Sequence, residues 1–235
     1  MQYSISGENM KITHLIAYEI GVHIGDGNMY SYNRTHRITY SGNLQNEKEF
    51  YKLLARIIKK IYNVKPILIE RKKDNTILLI INSKKLIQWK VKEFNLPIGS
   101  KKDIEIPEKI LKDSKLTCFF MRGLGDTDFS LSFKKNKKGI HTEPRLEMYT
   151  ASQKLATQIS YILKKFNFTF SLQKLGRGFM IRIYGKRNLK KWLKTFGFNN
   201  PWIKLKIKVW KKLGYYPIGK TYEELKEILK ASPSG

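Results

Sequence analysis

The chain has 235 residues, 41% of them hydrophobic and 12% aromatic, which excludes an intrinsically disordered protein and allows one large domain or two small ones. Its 46 Lys and Arg outnumber its 19 Asp and Glu and give a net charge of +27, which predicts a polyanionic partner because such an excess opposes a compact state by self-repulsion. One cysteine, no long apolar run and no signal-peptide pattern predict a soluble, intracellular protein of the cytoplasm, nucleoid or an organelle matrix, with no disulfide framework and no membrane partner.

The first half of the chain alternates helix and strand patterns after a polar lead-in over residues 1–12. An apolar run that ends in Gly25-Asp26-Gly27 predicts a helix from about Thr13 to Gly25 with a glycine stop. Hydrophobic periodicity then predicts two strands, a helix, a strand hairpin and a helix, at residues 28–33, 37–41, 47–62, 66–71 with 76–82, and 83–94.

The same order returns after a connector at residues 96–108, which is marked by Pro97, Gly99 and Pro107. The patterns predict a helix, two strands, a helix, a hairpin and a helix, at residues 115–127, 129–134, 145–150, 152–166, 169–174 with 178–184, and 187–196. Two further helices are predicted at residues 203–213 and 222–230.

The two halves are copies of one unit. Asp128 follows Asp26 by 102 residues, and Trp192 follows Trp89 by 103 residues, so the motifs and the downstream elements share one long period. The sequence therefore predicts an α+β fold of duplicated αββαββα units with pseudo-two-fold symmetry. The predicted limits are residues 13–106 and 107–213 for the two subdomains and 214–235 for a C-terminal extension.

Each unit opens with a helix that carries small residues four positions apart and an acid at its last turn. The small residues are Gly21 with Gly25 and Gly123 with Thr127, and that spacing lets a second backbone approach closely. A carboxylate at a helix C-terminus opposes the macrodipole, although a single such Asp is often only a turn residue that makes local hydrogen bonds. Two of them at the repeat spacing indicate function.

These two motifs on a basic, duplicated chain resemble the LAGLIDADG homing endonucleases in their single-chain, two-motif form, over about residues 13–213. The first motif matches the family pattern at Gly21, Ile24, Gly25, Asp26 and Gly27. The second matches at Gly123, Leu124, Asp126, Thr127 and Asp128, with Phe129 in place of the usual final glycine.

The resemblance implies two motif helices packed together and two four-stranded antiparallel sheets that form a DNA-binding saddle. It also implies a monomer that cleaves double-stranded DNA at a long, specific target site with Mg²⁺. Two or three divalent ions would be shared between Asp26 and Asp128 and the backbone carbonyls of Gly25 and Thr127, and Mn²⁺ or Ca²⁺ could substitute in binding. Metal held by carboxylates fits the reaction, because phosphodiester hydrolysis needs an activated water and charge neutralisation.

Family members carry an active-site lysine after the third helix of each half, and Lys101 and Lys206 are the candidates here. A surface lysine in so basic a chain is the competing interpretation. The polar residue that the family often places after the second strand falls near Gly42/Asn43 and Ala151/Ser152, so this feature is weak. Asp126, two residues before the matched acid, is expected to be structural.

Strand alternation nominates the residues that contact the DNA grooves. Arg reads guanine and Glu accepts from cytosine, and the nominated residues are Arg37, Thr39, Ser130, Ser132, Lys134, Arg145, Glu147 and Arg182, with Tyr30, Tyr32 and Arg34 on a strand whose inward face is ambiguous. Basic residues at the hairpin tips are expected to contact phosphates, namely Arg71, Lys72, Lys174 and Arg177.

Two other functions fit parts of this pattern. A non-cleaving RNA maturase or DNA-binding regulator could use the same saddle, and Phe129 together with the weak polar position keeps that alternative open. A general basic RNA-binding protein is disfavoured by the duplicated motif. The four histidines show no metal spacing; His23, Cys118, Trp89 and Trp192 are expected to pack in the core or interface. Intein splice-junction residues are absent, which favours a free-standing or intron-encoded protein and intron homing as its role.

Overall fold

A computed structural model describes residues 11–231, and most of the predicted lead-in, residues 1–10, lies outside the described residues. The first half follows the predicted order of elements. They are α1 (His14–Asp26), β1 (Gly27–Tyr32), β2 (Thr35–Asn43), α2 (Leu44–Tyr62), β3 (Ile67–Arg71), β4 (Thr76–Asn82) and α3 (Lys84–Phe94).

The second half repeats that order after a short helix in the connector, α4 (Glu108–Leu111). Its elements are α5 (Ser114–Thr127), β5 (Ser130–Lys135), β6 (His141–Thr150), α6 (Gln153–Lys165), β7 (Phe170–Leu175), β8 (Gly178–Tyr184) and α7 (Gly185–Thr195). Two C-terminal helices follow, α8 (Pro201–Leu213) and α9 (Tyr222–Ala231).

Each half forms one four-stranded antiparallel sheet. The strand orders are β1-β2-β4-β3 and β5-β6-β8-β7, so the second sheet repeats the topology of the first. In both sheets one face is buried against helices and the other is open, as the alternation of buried and exposed residues along β1, β2, β5 and β6 requires. The α+β fold with duplicated units is therefore confirmed.

The two motif helices, α1 and α5, pack tightly against each other. A Cβ atom added at Gly21 would lie 2.1 Å from the carbonyl oxygen of Phe120, and one added at Gly123 would lie 2.0 Å from that of Tyr18. These distances are shorter than any real carbon–oxygen contact, so only glycine permits this approach. The small residues of the motifs therefore set the distance between the two halves.

A fully buried ion pair fixes α1 inside the first half. Both carboxylate oxygens of Glu19 accept from Lys90 Nζ on α3, at 2.8 and 2.6 Å, and all of these atoms are shielded from solvent. The hydroxyls of Tyr62, at 2.5 Å, and Tyr40 also donate to Glu19. A buried charge needs such partners, so this network ties α1, which carries the first acid, to the other elements of its half.

Element boundaries differ from the predictions where a local contact extends an element. Helix α2 begins at Leu44 because Asn43 Oδ1 accepts from the backbone N–H of Asn46 at 3.0 Å and caps it. Strand β6 begins at His141 because its hairpin with β5 continues past an irregularity between Lys134 and Lys135. Neither of these contacts changes the hydrophobic periodicity of the sequence, so neither boundary could be predicted from it.

The C-terminal helices contact both halves. Trp210 Nε1 on α8 donates to the Thr142 carbonyl of β6 at 2.9 Å, and the N–H of Tyr222 donates to Asn46 Oδ1 on α2 at 3.1 Å. The part of the extension within the described residues thus packs on the first half as well as the second. The subdomain limits stay predictions. Among residues 11–231, no helix has both the length and the apolar character needed to cross a bilayer.

Candidate active site and nucleic-acid interface

Asp26 and Asp128 come together where α1 and α5 end. A Cβ atom added at Gly25 would lie 3.2 Å from Asp128 Oδ1, so the second acid reaches the backbone beside the first. Both carboxyl groups are half-buried. Burial, and then the nearby charges of Glu47 and Asp128, raise the pKa of Asp26 to about 8, while burial raises the pKa of Asp128 to about 6.

Lys101 lies beside both acids. Its Nζ donates to the carbonyl oxygens of Ile24 at 2.8 Å and Gly25 at 2.5 Å, at the C-terminal end of α1. Burial lowers the pKa of Lys101, and the charges of Asp128 and Asp26 act in the opposite direction. An ammonium at this position stabilises the helix C-terminus and can also face a phosphate.

A cleft of about 290 Å³ opens beside this lysine. It is lined by Lys101 and Asp128 together with the end of β6, including Tyr149 and Ala151. Asp128 and Lys101 therefore border a space into which a substrate group could enter.

Tyr51 and Glu47 complete the surroundings of Asp26, and neither was predicted from the sequence. The hydroxyl of Tyr51 donates to Asp26 Oδ2 at 3.0 Å. Glu47 Oε2 accepts from the backbone N–H of Asn43 at 2.9 Å. The two residues lie one helical turn apart on α2, so their i, i+4 spacing was the sequence signal that could have identified them as a pair. Gly42 makes room for them, because a Cβ atom added there would lie 2.5 Å from the Tyr51 ring.

The second half lacks these groups. Glu47 and Tyr51 lie four and eight residues after Asn43, the N-cap of α2, and the same steps from Ser152, the N-cap of α6, reach Ala156 and Ser160. Ala156 is buried and Ser160 Oγ donates to the Ala156 carbonyl at 2.8 Å, inside its own helix. Asp128 therefore has no tyrosine counterpart on α6.

Phe129 does not enter the site. Its side chain is buried in the core of the second half, with its ring centroid 4.9 Å from that of Trp192. The equivalent residue of the first half, Gly27, has no room for a side chain, because an added Cβ would lie 2.6 Å from the His23 carbonyl oxygen. Phe129, where the family usually has a glycine, therefore leaves the space around Asp128 unobstructed.

Lys206 makes contacts that differ from those of Lys101. Its Nζ donates to the Leu131 carbonyl, and the neighbouring charge in its surroundings is that of Glu47. Burial lowers the pKa of Lys206 to about 8. Lys206 therefore does not repeat the contacts that Lys101 makes at the helix end, because its ammonium donates to a carbonyl of β5 and not to one at the end of α5.

Asp126 is structural, as expected. Its buried carboxylate accepts from the Tyr18 hydroxyl at 2.8 Å and from the backbone N–H groups of Asn199 and Asn200 at 2.9 Å each. The Asn200 side chain also donates to Glu47 Oε1 at 3.3 Å. Asp126 thus fixes the segment before α8, and Asn200 in that segment contacts Glu47 on α2.

The donor set of the site is made of oxygen atoms: the carboxylates of Asp26 and Asp128 and the nearby Gly25 and Thr127 carbonyls. Hard oxygen ligands of this kind suit Mg²⁺ or Ca²⁺. Within the described residues there is no cluster of three or more His, Cys, Asp or Glu that could hold an ion, so a cation would also depend on backbone and phosphate oxygens. The residues fit a divalent ion of that type.

The open face of the first sheet carries the predicted residues of β1 and β2. Tyr30, Tyr32 and Arg37 are exposed, Thr39 is half-exposed, and Met29 points inward, which resolves the orientation of β1. Tyr30 pairs with Arg37 across the two strands.

The loops of the first sheet present the remaining predicted residues. Arg34 is exposed in the β1–β2 turn. At the β3–β4 turn Arg71 forms an ion pair with Asp74 at 2.5 Å, and Lys72 is exposed. These side chains border the open face.

The open face of the second sheet is dominated by a charged cluster. Glu147 accepts from Arg145 at 2.5 Å and from Arg182 at 2.9 Å. Ser132 pairs with Arg145, and in the described chain Ser132 Oγ and Arg145 Nε are the buried side-chain polar atoms without a hydrogen-bond partner. Ser130 and Lys134 share the face and are exposed.

The two residues predicted to contact phosphate at the hairpin of the second sheet, Arg177 and Lys174, point in different directions. Arg177 is exposed at the β7–β8 turn. Lys174 pairs with Phe179 and so points to the helix side of the sheet, away from Arg182. The prediction placed both at the tip; the strand register separates their directions.

The arrangement of the chain matches solved structures of LAGLIDADG proteins. The structure of I-DmoI in complex with DNA and manganese matches with a TM-score of 0.55 and 19% identity, over 78% of this chain and 96% of that one. Full-length WhiA from Thermotoga maritima matches with a TM-score of 0.56 and 15% identity, over 96% and 69%. The N-terminal LAGLIDADG domain of WhiA matches with a TM-score of 0.53 and 17% identity, over 78% and 81%.

At these identities the matches show the fold, which is the LAGLIDADG fold in its single-chain, duplicated form. No protein-family model matches the sequence, and no curated protein matches it. What the fold does in this chain has to be argued from its own residues.

Proposed function

We propose that this chain is a monomeric, divalent-metal-dependent endonuclease that hydrolyses both strands of double-stranded DNA at a long, specific site, as an intracellular enzyme of intron homing. The observation that carries the proposal is the meeting of Asp26 and Asp128 at the adjacent ends of two helices, with the Lys101 ammonium beside both. A folding role does not account for two acids that burial makes unfavourable, since each lies where the helix macrodipole also opposes it.

The chemistry follows from the side chains. A divalent ion, Mg²⁺ by the donor set and Mn²⁺ or Ca²⁺ as substitutes in binding, would neutralise charge on the phosphate and lower the pKa of a water. Asp26, Asp128 and the backbone carbonyls of Gly25 and Thr127 would hold it. Tyr51 orients the Asp26 carboxylate through its hydrogen bond. Lys101 adds positive charge where a scissile phosphate would approach the acids.

Charge and shape support duplex DNA as the substrate. The net charge is +27, and the open face of each sheet carries Arg and polar residues in the alternation expected for groove contacts. I-DmoI, whose fold this chain shares, has been solved in complex with DNA, and that complex supports the same use of the fold here.

A second function is favoured by one contact. Lys101 Nζ donates to the Gly25 carbonyl at 2.5 Å, and that carbonyl is one of the proposed ion ligands. If the lysine remained there as the counter-charge of the acids, no ion would be needed, and the chain would be a non-cleaving DNA-binding regulator or RNA maturase.

The test is a selection of cleaved sites from a random duplex library with Mg²⁺, repeated for Asp26→Asn, Asp128→Asn and the control Asp103→Asn. Asp103 is an exposed acid in the same connector as Lys101. We expect the wild type and Asp103→Asn to cut one sequence, and the other two variants to bind it without cutting. Specific binding without cleavage by the wild type would establish the regulator instead, and cleavage by both acid variants would refute the site.

A further inference from the structure

The open face of the first sheet contains an aliphatic patch on β3 and β4. It consists of Ile67, Ile69, Leu78 and Ile80, which the strand register places in two adjacent rows: Ile67 pairs with Ile80, and Ile69 with Leu78. Ile67 is 49% exposed and Ile69 40% exposed, whereas Leu78 is half-buried and Ile80 is buried, so the two isoleucines of β3 provide most of the accessible surface. Contiguous aliphatic side chains on an open surface mark a contact site when they are not part of the core.

The duplicated sheet has hydrogen-bonding groups at most of the same positions. Thr39 pairs with Ile80 in the first sheet as Glu147 pairs with Arg182 in the second, which aligns the two sheets row by row. Ser171 and Gln173 then correspond to Ile67 and Ile69. Met180 corresponds to Leu78, and the exposed Leu175 lies further along the same face of β7. The contrast between the halves therefore rests on Ile67, Ile69 and Ile80, whose counterparts are Ser171, Gln173 and Arg182.

The residues around the aliphatic patch indicate which kind of partner would bind it. The patch lies on the face that carries Arg37 and Thr39 and continues to the basic β3–β4 turn with Arg71 and Lys72. Glu70 points to the other side, where it pairs with Lys48 at 2.7 Å. A cationic rim around an aliphatic centre on the open face of a sheet fits a polyanion that offers an apolar group.

Duplex DNA offers one apolar group in the major groove, the 5-methyl group of a pyrimidine. Thymine supplies it in unmodified DNA, and 5-methylcytosine supplies the same group after modification. Aliphatic side chains have no hydrogen-bond donor or acceptor, so they recognise a base edge only through such a group.

We infer that the first sheet recognises its half of the target through pyrimidine 5-methyl groups packed against Ile67, Ile69 and the half-buried Leu78, with Ile80 buried beside them, whereas the second sheet recognises its half through hydrogen bonds. The charged cluster of Arg145, Glu147 and Arg182 on the same face of that sheet provides these bonds. This inference rests on the proposed function.

The test uses the target recovered by the cleavage selection. Duplexes with deoxyuridine in place of thymine in one half-site at a time are titrated with the full-length protein in EDTA, and binding is measured by fluorescence anisotropy. We expect about a fourfold weakening per contacted methyl group in one half-site, since burying one such group contributes about that factor, and no change in the other half-site.

Variants assign the sensitive half-site to the sheet. Ile67→Ala with Ile69→Ala should remove the sensitivity to deoxyuridine, while the matched control Ser171→Ala with Gln173→Ala should leave it intact. All four side chains are exposed, so folding is not at risk. A parallel selection from a library with 5-methylcytosine distinguishes the sources of the methyl group: enrichment of thymine alone or of both bases supports the inference.

Two failures can be told apart. The inference is wrong if a specific site is recovered but deoxyuridine does not change the binding affinity. It is also wrong if deoxyuridine weakens binding equally in both half-sites and in both double variants. In either case the proposed function stands. If no specific DNA is recovered, the proposed function fails and the inference falls with it.

Discussion

The two halves of the molecule have the same strand order, and their motif helices meet through equivalent glycines, but the acids at the helix ends have different neighbours. Asp26 accepts from Tyr51 and lies near Glu47, whereas the equivalent positions on α6 hold Ala156 and Ser160. Duplication therefore preserved the backbone contacts that bring the helices together. The side chains around each acid diverged, as the open faces of the two sheets also did.

The residues that follow the acids show why such divergence is possible. Gly27 has no space for a Cβ, while Phe129 fills the core beside Trp192. In each half the position after the acid turns away from the site, so its size is set by the local core. The difference between Gly27 and Phe129 therefore affects the stability of each half. The presence of Tyr51 in the first half alone affects the orientation of the Asp26 carboxylate.

The largest expected effect tests that distinction. Phe129→Gly, which restores the usual family residue, should lower the free energy of unfolding by about 3–5 kcal/mol, because it removes a buried aromatic side chain. Chemical denaturation measures the loss. Cleavage per folded molecule should stay unchanged, and a rate increase would show that Phe129 obstructs the site after all.

The helix interface should be the next most sensitive region. Gly123→Val places a side chain against the Tyr18 carbonyl, 2.0 Å from the added Cβ, and overpacking of this kind costs about 1–3 kcal/mol or more. The expected result is a lower denaturation midpoint together with weaker cleavage of both strands, because both acids move. Lys115→Val, at an exposed position of the same helix, is the control and should change either quantity little.

Much of this arrangement was predictable from the sequence. The repeat spacing of Asp26 and Asp128 predicted the duplicated fold, and the small residues before them predicted a close backbone approach, because each depends on a local pattern. The pairing of the two motif helices and the meeting of the acids were implied by the resemblance to the LAGLIDADG family. Tyr51 was missed because it lies on the apolar side of α2, where an aromatic residue reads as core. Its polar atom finds Asp26 only through the tertiary packing of α2 on α1.

The distribution of charge could not be predicted either. Alternation nominated Arg145, Glu147 and Arg182 as separate base contacts, yet strand register joins them in one cluster. Register also turned Lys174 to the helix side. A one-residue change of pairing reverses a side chain, and only the structure fixes that pairing.

An effect confined to one of the two acids should separate the two strands of the substrate. Tyr51→Phe removes a hydrogen bond to a carboxylate, worth about 1.5–3 kcal/mol, so cleavage of one strand should slow by about tenfold or more. Quenched reactions on supercoiled plasmid would then accumulate nicked circles. Ser160→Ala, the matched change on α6, should slow neither strand, and equal slowing of both strands by Tyr51→Phe would remove the proposed asymmetry.

The smallest expected effect is a dependence of metal demand on pH. Burial and the charge of Glu47 raise the pKa of Asp26 to about 8, and burial raises the pKa of Asp128 to about 6, so in metal-free protein Asp26 is mostly protonated at pH 7. An ion must displace that proton, and the Mg²⁺ concentration for half-maximal cleavage should fall as pH rises from about 6 to about 8, by at most about tenfold per unit for one proton. Glu47→Gln removes a charge that raises the pKa of Asp26, and it should shift this profile to lower pH. A half-maximal Mg²⁺ concentration that is constant over this range would show that the acids are already ionised, and the two halves would then differ in the orientation of their carboxylates and not in their protonation.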